Sequence, residues 1–146
     1  MKIAVAADHG GFELKNIIKE YLTEKGNEII DFGTNSPESV DYPDFALLCA
    51  KEVVSGNVDF GILFCGTGVG ISIAANKVKG IRCALCPSPE IAALTKEHNN
   101  ANIISLGGRF TSPEYAKEIV DAYMSAQFAG DRHQKRINKI SDIENL

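Results

Sequence analysis

The sequence predicts an α/β fold: a five-stranded parallel sheet, doubly wound, with helices on both faces in a three-layer α/β/α sandwich and a helical tail at the C-terminus. Three observations carry this. Short apolar runs alternate five times with longer segments of helical period. The run Phe60–Phe64 is apolar throughout, as a strand buried on both faces must be. Glycine-rich turns follow the first, third and fifth runs, where such sheets bind ligands.

The elements follow in order. Lys2–Ala7 reads as the first strand and Asp8-His9-Gly10-Gly11 as a turn. Phe12–Lys25 carries Phe12, Leu14, Ile17, Ile18, Tyr21 and Leu22 near helical spacing, with Gly26 as its C-terminal stop. Glu28–Asp31 is a short strand. Phe32–Pro43, rich in Gly, Asn, Ser, Pro and Asp, is the longest loop. Asp44–Ser55 is a helix ended by Gly56-Asn57; Val58–Phe64 is the third strand, and Gly68–Lys77 the next helix. Ile81–Leu85 is the fourth strand. Pro87-Ser88-Pro89 opens a helix that ends near His98-Asn99-Asn100. Asn102–Leu106 is the last strand, then Gly107-Gly108-Arg109. Ser112 caps a helix with Pro113 at its first position, and Asp131 caps a final basic helix.

Composition narrows the function classes. The 146 residues suit one domain, 1–146, with 45% apolar and 23% charged residues. A net charge of −4 argues against a broad nucleic-acid footprint. No apolar run approaches the roughly 20 residues that span a bilayer, so no membrane role is expected. The opening MKIAVAADHGGFELK reads as a strand rather than a signal peptide. Four cysteines make no disulfide framework and point to a reducing cytoplasm.

Strand, glycine turn and helix meet at Cys65-Gly66-Thr67-Gly68-Val69-Gly70. Glycines let the backbone approach a ligand, and the following helix offers free N–H groups to an anion. Cys65 stands at the lip of this cradle. A helix N-terminus favours its thiolate, which could act as base or nucleophile; the plainer reading is a small buried hydrophobe. The glycines match neither a Walker loop nor the dinucleotide fingerprint, and could merely pack helix on strand. Asp8-His9 could be an acid/base or phosphate-binding pair, or Asp8 could simply cap a helix. His98 could serve catalysis or only the helix dipole. Arg132 and Arg136, four apart, share a helix face and would clasp a phosphate, unless the face is merely solvated. Cys83 and Cys86 form a C-x-x-C with no second pair for zinc; two buried thiols outweigh a redox pair.

Taken together, Ala7-Asp8-His9-Gly-Gly-Phe, Asp31-Phe-Gly-Thr34, Asp41-Tyr42-Pro43, the block Cys65–Lys77, His98-Asn99, Gly107-Gly-Arg109 and Arg132-His-Gln-Lys-Arg136 resemble the type B ribose-5-phosphate isomerases. These share one sugar-phosphate isomerase family with the galactose-6-phosphate isomerase subunits. The resemblance covers the whole chain. It implies a Rossmann-like fold and interconversion of D-ribose 5-phosphate and D-ribulose 5-phosphate, in the pentose phosphate pathway, without metal or cofactor. It implies that Cys65 moves the proton between C1 and C2, that Thr67 belongs with it among the catalytic residues, and that His98 opens the furanose ring. Gly66, Thr67, Gly68, Val69 and Gly70 bind the reacting end of the sugar. Asp8, His9, Tyr42, Asn99, Arg109, Arg132 and Arg136 bind substrate, the histidine and arginines holding the phosphate. One branch of the family uses a glutamate later in the loop; Ile71 stands there, so the cysteine branch applies. The family also implies a homodimer or dimer of dimers with sites at the subunit interface. Isomerisation of a six-carbon sugar phosphate (allose or galactose 6-phosphate) and a non-catalytic phosphosugar- or nucleotide-binding module are the alternatives.

Overall fold

A computed structural model describes residues 1–146. The elements are β1 (Lys2–Ala7), α1 (Phe12–Glu24), β2 (Glu28–Asp31), α2 (Tyr42–Val54), β3 (Phe60–Cys65), α3 (Val69–Ala75), β4 (Cys83–Leu85), α4 (Pro89–Asn99), β5 (Ile103–Gly107), α5 (Pro113–Ser125) and α6 (Arg132–Ile143). All five strands are parallel, in the order β2-β1-β3-β5-β4. The expected five-stranded α/β fold is therefore present.

Right-handed crossovers then decide where each helix lies. The connections β1 to β2 and β4 to β5 step one way along the sheet, whereas β2 to β3 and β3 to β4 step the other way. Helices α1 and α4, joined by α5, accordingly pack on one face, and α2 and α3 on the opposite face. Alternation along each strand feeds both cores. Phe60, Ile62 and Phe64 of β3 join Ile3, Val5, Ile104 and Leu106 under α1, α4 and α5. Leu63 and Cys65 join Ala4, Ala6 and Ile103 under α2 and α3. The second face is lined by small residues, so α2 approaches closely through Ala46, Cys49 and Ala50. Fully buried side chains such as Ile62 and Leu63 contribute about 1.5–3 kcal/mol each.

Several boundaries shift from expectation. Helix α2 begins at Tyr42 rather than Asp44, because Pro43 is tolerated in a first turn. Strand β4 begins at Cys83 rather than Ile81: Ile81 is buried, but its N–H closes a turn on the Val78 carbonyl. Ser112 caps α5 as expected, accepting from the Tyr115 N–H at 3.2 Å. Asp131 occupies the N-cap of α6 without a side-chain cap, at φ +49°. At the end of α4, Asn100 adopts the left-handed conformation common at helix stops.

Candidate active site

Connections leave β1 and β3 in opposite directions, and ligands bind at such a switch point beyond the carboxyl ends of the strands. Three loops meet there. Gly108 N–H donates to the Cys65 carbonyl at 2.7 Å, and Arg109 N–H to the Gly66 carbonyl at 3.0 Å. Asp8 N–H donates to the Phe64 carbonyl at 3.2 Å. The loops touch through glycines because nothing larger fits. A β-carbon on Gly108 would lie 2.5 Å from the Gly10 carbonyl oxygen, and one on Gly107 would lie 2.7 Å from that of Thr67.

Asp8 is buried, and its Oδ1 accepts from Gly10 N–H at 2.9 Å and Gly11 N–H at 3.2 Å. It thus holds its own turn, and the N-cap of α1 falls to Gly11. His9 Nδ1 accepts from Val40 N–H at 3.2 Å, which leaves Nε2 as the protonated nitrogen in the neutral ring. Its ring borders a cavity of ≈ 230 Å³, walled also by Gly10, Pro37, Gly108, Arg109 and the first turn of α1. The Arg109 guanidinium crosses from this cavity to the glycine loop: a β-carbon on Gly66 would lie 2.8 Å from Nη1. Tyr42 lays its ring on Gly70, where a β-carbon would meet Cζ at 2.8 Å.

Cys65 is 5% exposed, deeper than the lip expected for it. The reason lies in the turn. Gly68 takes φ +79°, folding the loop back so that its N–H donates to Cys65 Sγ at 3.1 Å. Ser105 Oγ pins the turn from below by donating to the Gly68 carbonyl at 2.9 Å. Thr67 Oγ1 accepts from Val69 N–H at 3.1 Å. The N–H groups of Gly66, Thr67, Gly70 and Ile71 make no hydrogen bond within the chain, leaving the turn and the start of α3 with free donors.

The remaining expected residues lie elsewhere. His98 and Asn99 end α4, which runs antiparallel to the strands, so they sit at the amino edge of the sheet. Strand β5 alone separates the two edges by about 16 Å. Arg132 and Arg136 are exposed on α6, which joins α4 where Ala129 N–H donates to the Glu97 carbonyl at 3.0 Å. The far end of α6 reaches the amino edge again, Glu144 Oε2 accepting from Gly80 N–H at 2.8 Å. Within one chain, then, Asp8, His9, Tyr42, Cys65–Gly70 and Arg109 form one cluster, and His98, Asn99, Arg132 and Arg136 another.

Sequence reasoning passed over three participants. His133 stacks on His98, with ring centroids 4.4 Å apart; it lay unremarked between the two arginines. Ser105 supports the glycine turn, and no local pattern marks it. Lys15 is fully buried and braces the start of the long loop. The C-x-x-C residues lie in different cores. Three positions apart around a strand, Cys83 packs with one core and Cys86 with the other. Burial pushes the Cys83 thiol up to about 12 and Cys86 to about 11.

Fold and loop cluster define a doubly wound α/β protein with its ligand crevice at the carboxyl edge of the sheet. The family model for ribose/galactose isomerases matches residues 3–140. Ribose-5-phosphate isomerase B of Escherichia coli is 52% identical over 143 residues, 98% of this chain and 96% of that protein. The structure of Clostridium thermocellum ribose-5-phosphate isomerase B superposes with a TM-score of 0.98 at 52% identity, covering 99% of this chain and 98% of that one. The Mycoplasma genitalium enzyme, solved with bound ribulose-5-phosphate, gives 0.94 at 46% identity, covering 99% and 96%. The chain belongs to the ribose/galactose isomerase family, and it is an isomerase. No helix is long and apolar enough to cross a membrane.

Proposed function

We propose that residues 1–146 form a single isomerase domain that interconverts D-ribose 5-phosphate and D-ribulose 5-phosphate through a cis-enediolate, with Cys65 as the base. The observation behind this reading is the Cys65–Gly70 turn, where the Gly68 N–H meets the thiol, further N–H groups of the turn are unpartnered, and the Arg109 guanidinium lies against Gly66. In the open-chain aldose, Cys65 takes the C2 proton, leaving the C1–C2 double bond and the negative charge on O1. A proton passes from O2 to O1, and the proton held by sulfur returns at C1 as the O2 carbonyl forms. Atoms balance, hydrogen moves as a proton, and no redox cofactor enters. The loop donors stabilise the enediolate oxygen, an effect worth about 10²–10³ in rate per donor. Thr67, exposed at the loop's tip, completes the catalytic set with His98, whose imidazole opens the furanose by general acid/base transfer.

Asp8, His9, Tyr42, Asn99 and Arg109, with Gly66–Gly70, hold the substrate, and His9 with Arg109, Arg132 and Arg136 take its phosphate. The phosphate does not react; its binding energy positions the distant carbons. Because His98, Asn99, Arg132 and Arg136 lie at the opposite sheet edge from Cys65, a second copy of the chain supplies them. The working unit is thus a homodimer or dimer of dimers with sites at the interface. A cytoplasmic setting accords with four free cysteines.

Assay of ribose 5-phosphate conversion, with deuterium wash-in from heavy water, tests the reading. Cys65→Ala and Cys65→Ser should lose wash-in and at least 10³ of kcat, against a general-base term of about 10²–10⁴, while still binding sugar phosphate. Wild-type turnover in both variants removes cysteine from the mechanism. Tight binding with no wash-in by the wild type would instead indicate a phosphosugar-binding module. The family description also covers galactose isomerases, so kcat/KM for ribose 5-phosphate is to be compared with that for allose and galactose 6-phosphates.

A further inference from the structure

Helix α4 ends and α6 begins with imidazoles laid flat on each other. The His98 and His133 ring centroids are 4.4 Å apart, with planes 16° from parallel. His133 is 7% exposed and, with Ile137 one turn on, is what α6 buries. The Ala129 N–H on the Glu97 carbonyl fixes the connecting segment immediately before His98. A histidine χ2 is otherwise broad, so a lone imidazole at a helix end would not hold one plane. A flat ring at stacking distance restricts it.

We propose that His133 is a positioning residue that fixes the plane of the His98 imidazole for opening the sugar ring. The inference rests on the reading that His98 performs that step. Burial, together with the charges of Arg132, His98 and Arg136 and against that of Asp131, holds His133 below the ordinary imidazole value. A ring kept neutral in this way can stay against His98 without repelling it when His98 carries a proton.

Ribulose 5-phosphate supplies the discriminating readout. Its O5 bears the phosphate, so it cannot form a furanose, and deuterium wash-in at C1 reports proton transfer without ring opening. His133→Ala is expected to lower kcat for ribose 5-phosphate at least about tenfold, a fraction of the 10²–10⁴ that acid/base assistance supplies. KM should stay within about twofold, as should wash-in into ribulose 5-phosphate, because no binding contact is removed. His133→Phe keeps a flat ring and should restore most of kcat. If the alanine variant folds poorly, His133→Gln, which keeps volume without the ring, replaces it. Unchanged kcat in the ring-less variant overturns the proposal, as does equal loss in both assays without rescue by phenylalanine. His98→Asn separates the two levels: wild-type turnover of ribose 5-phosphate by that variant defeats the ring-opening reading itself. Loss in His98→Asn without loss in His133→Ala defeats only the positioning role.

Discussion

Gly66 and Gly68 stand two residues apart in one loop and are glycine for different reasons. A β-carbon on Gly66 would meet the end of the Arg109 side chain at 2.8 Å, and that side chain can swing away. On Gly68 it would meet the backbone of Leu106 at 2.9 Å and Gly107 at 3.0 Å, at a φ of +79°. Gly66→Ala should therefore fold within about 1 kcal/mol of wild type but lose activity through a displaced guanidinium. Gly68→Ala should lose about 1–3 kcal/mol or more in urea unfolding, since both strain and overlap oppose it. Equal stability of the two variants would contradict this assignment. At this scale the sequence reveals the chemistry-bearing types, because Cys65 and its glycines are contiguous. It does not reveal that Gly68 N–H turns onto the sulfur, nor that residues 98 and 133 stack, since a contact across thirty-five positions leaves no local pattern.

Elements were legible where breakers mark them. Strands β1 and β2 have the expected limits because Asp8-His9-Gly10 and Gly26-Asn27 punctuate them. Ile81 misled because burial in a turn and burial in a strand look alike in a residue string. Lys15 was equally hidden: a lysine in an amphipathic helix is usually exposed, yet this one is 0% exposed. Its ammonium donates to both Asp31 oxygens, at 2.8 and 2.9 Å, and to the Thr34 carbonyl at 2.8 Å. Thr34 N–H donates in turn to the Ala7 carbonyl, so α1 braces the long loop against the end of β1, beside Asp8. Burial would raise the Asp31 carboxyl, but hydrogen bonds from Lys15, Gly33 N–H and Lys19 outweigh it and hold it below the usual range. A depressed carboxylate contributes stability above its unfolded value, about 3.9, and loses it as pH falls through the folded one. Lys15→Met should cost about 1–3 kcal/mol near neutrality, because it removes the carboxylate's buried partner and leaves it only Lys19 and the Gly33 N–H. The deficit, followed by denaturant titration at several pH values, should narrow below about pH 4; a deficit independent of pH would mean that packing rather than charge is lost.

At the scale of the whole molecule, the periodicities that mark strands say nothing about their order, whereas the separation of the candidate residues follows from their parallel direction. Because all the strands are parallel, the helix α4 that leads into β5 ends at the amino edge, carrying His98 and Asn99 away from Cys65. Helix α6 docks on that same end and takes Arg132 and Arg136 with it. On the proposed reading such a chain holds two incomplete halves of the site, and an isologous pair would satisfy both at once, each copy lending its basic end to the other's thiol loop. Mixed variants test this. Cys65→Ala lacks the base, and Arg132→Ala combined with Arg136→Ala lacks the clamp, so each preparation alone should be nearly inactive. After unfolding and refolding together in equal amounts, half of the pairs are mixed, and one of the two sites in each mixed pair is intact. Recovery should therefore approach about one quarter of wild-type activity. Activity no greater than the sum of the parents, in a mixture shown by mass spectrometry to have exchanged subunits, would mean that each chain completes its own site.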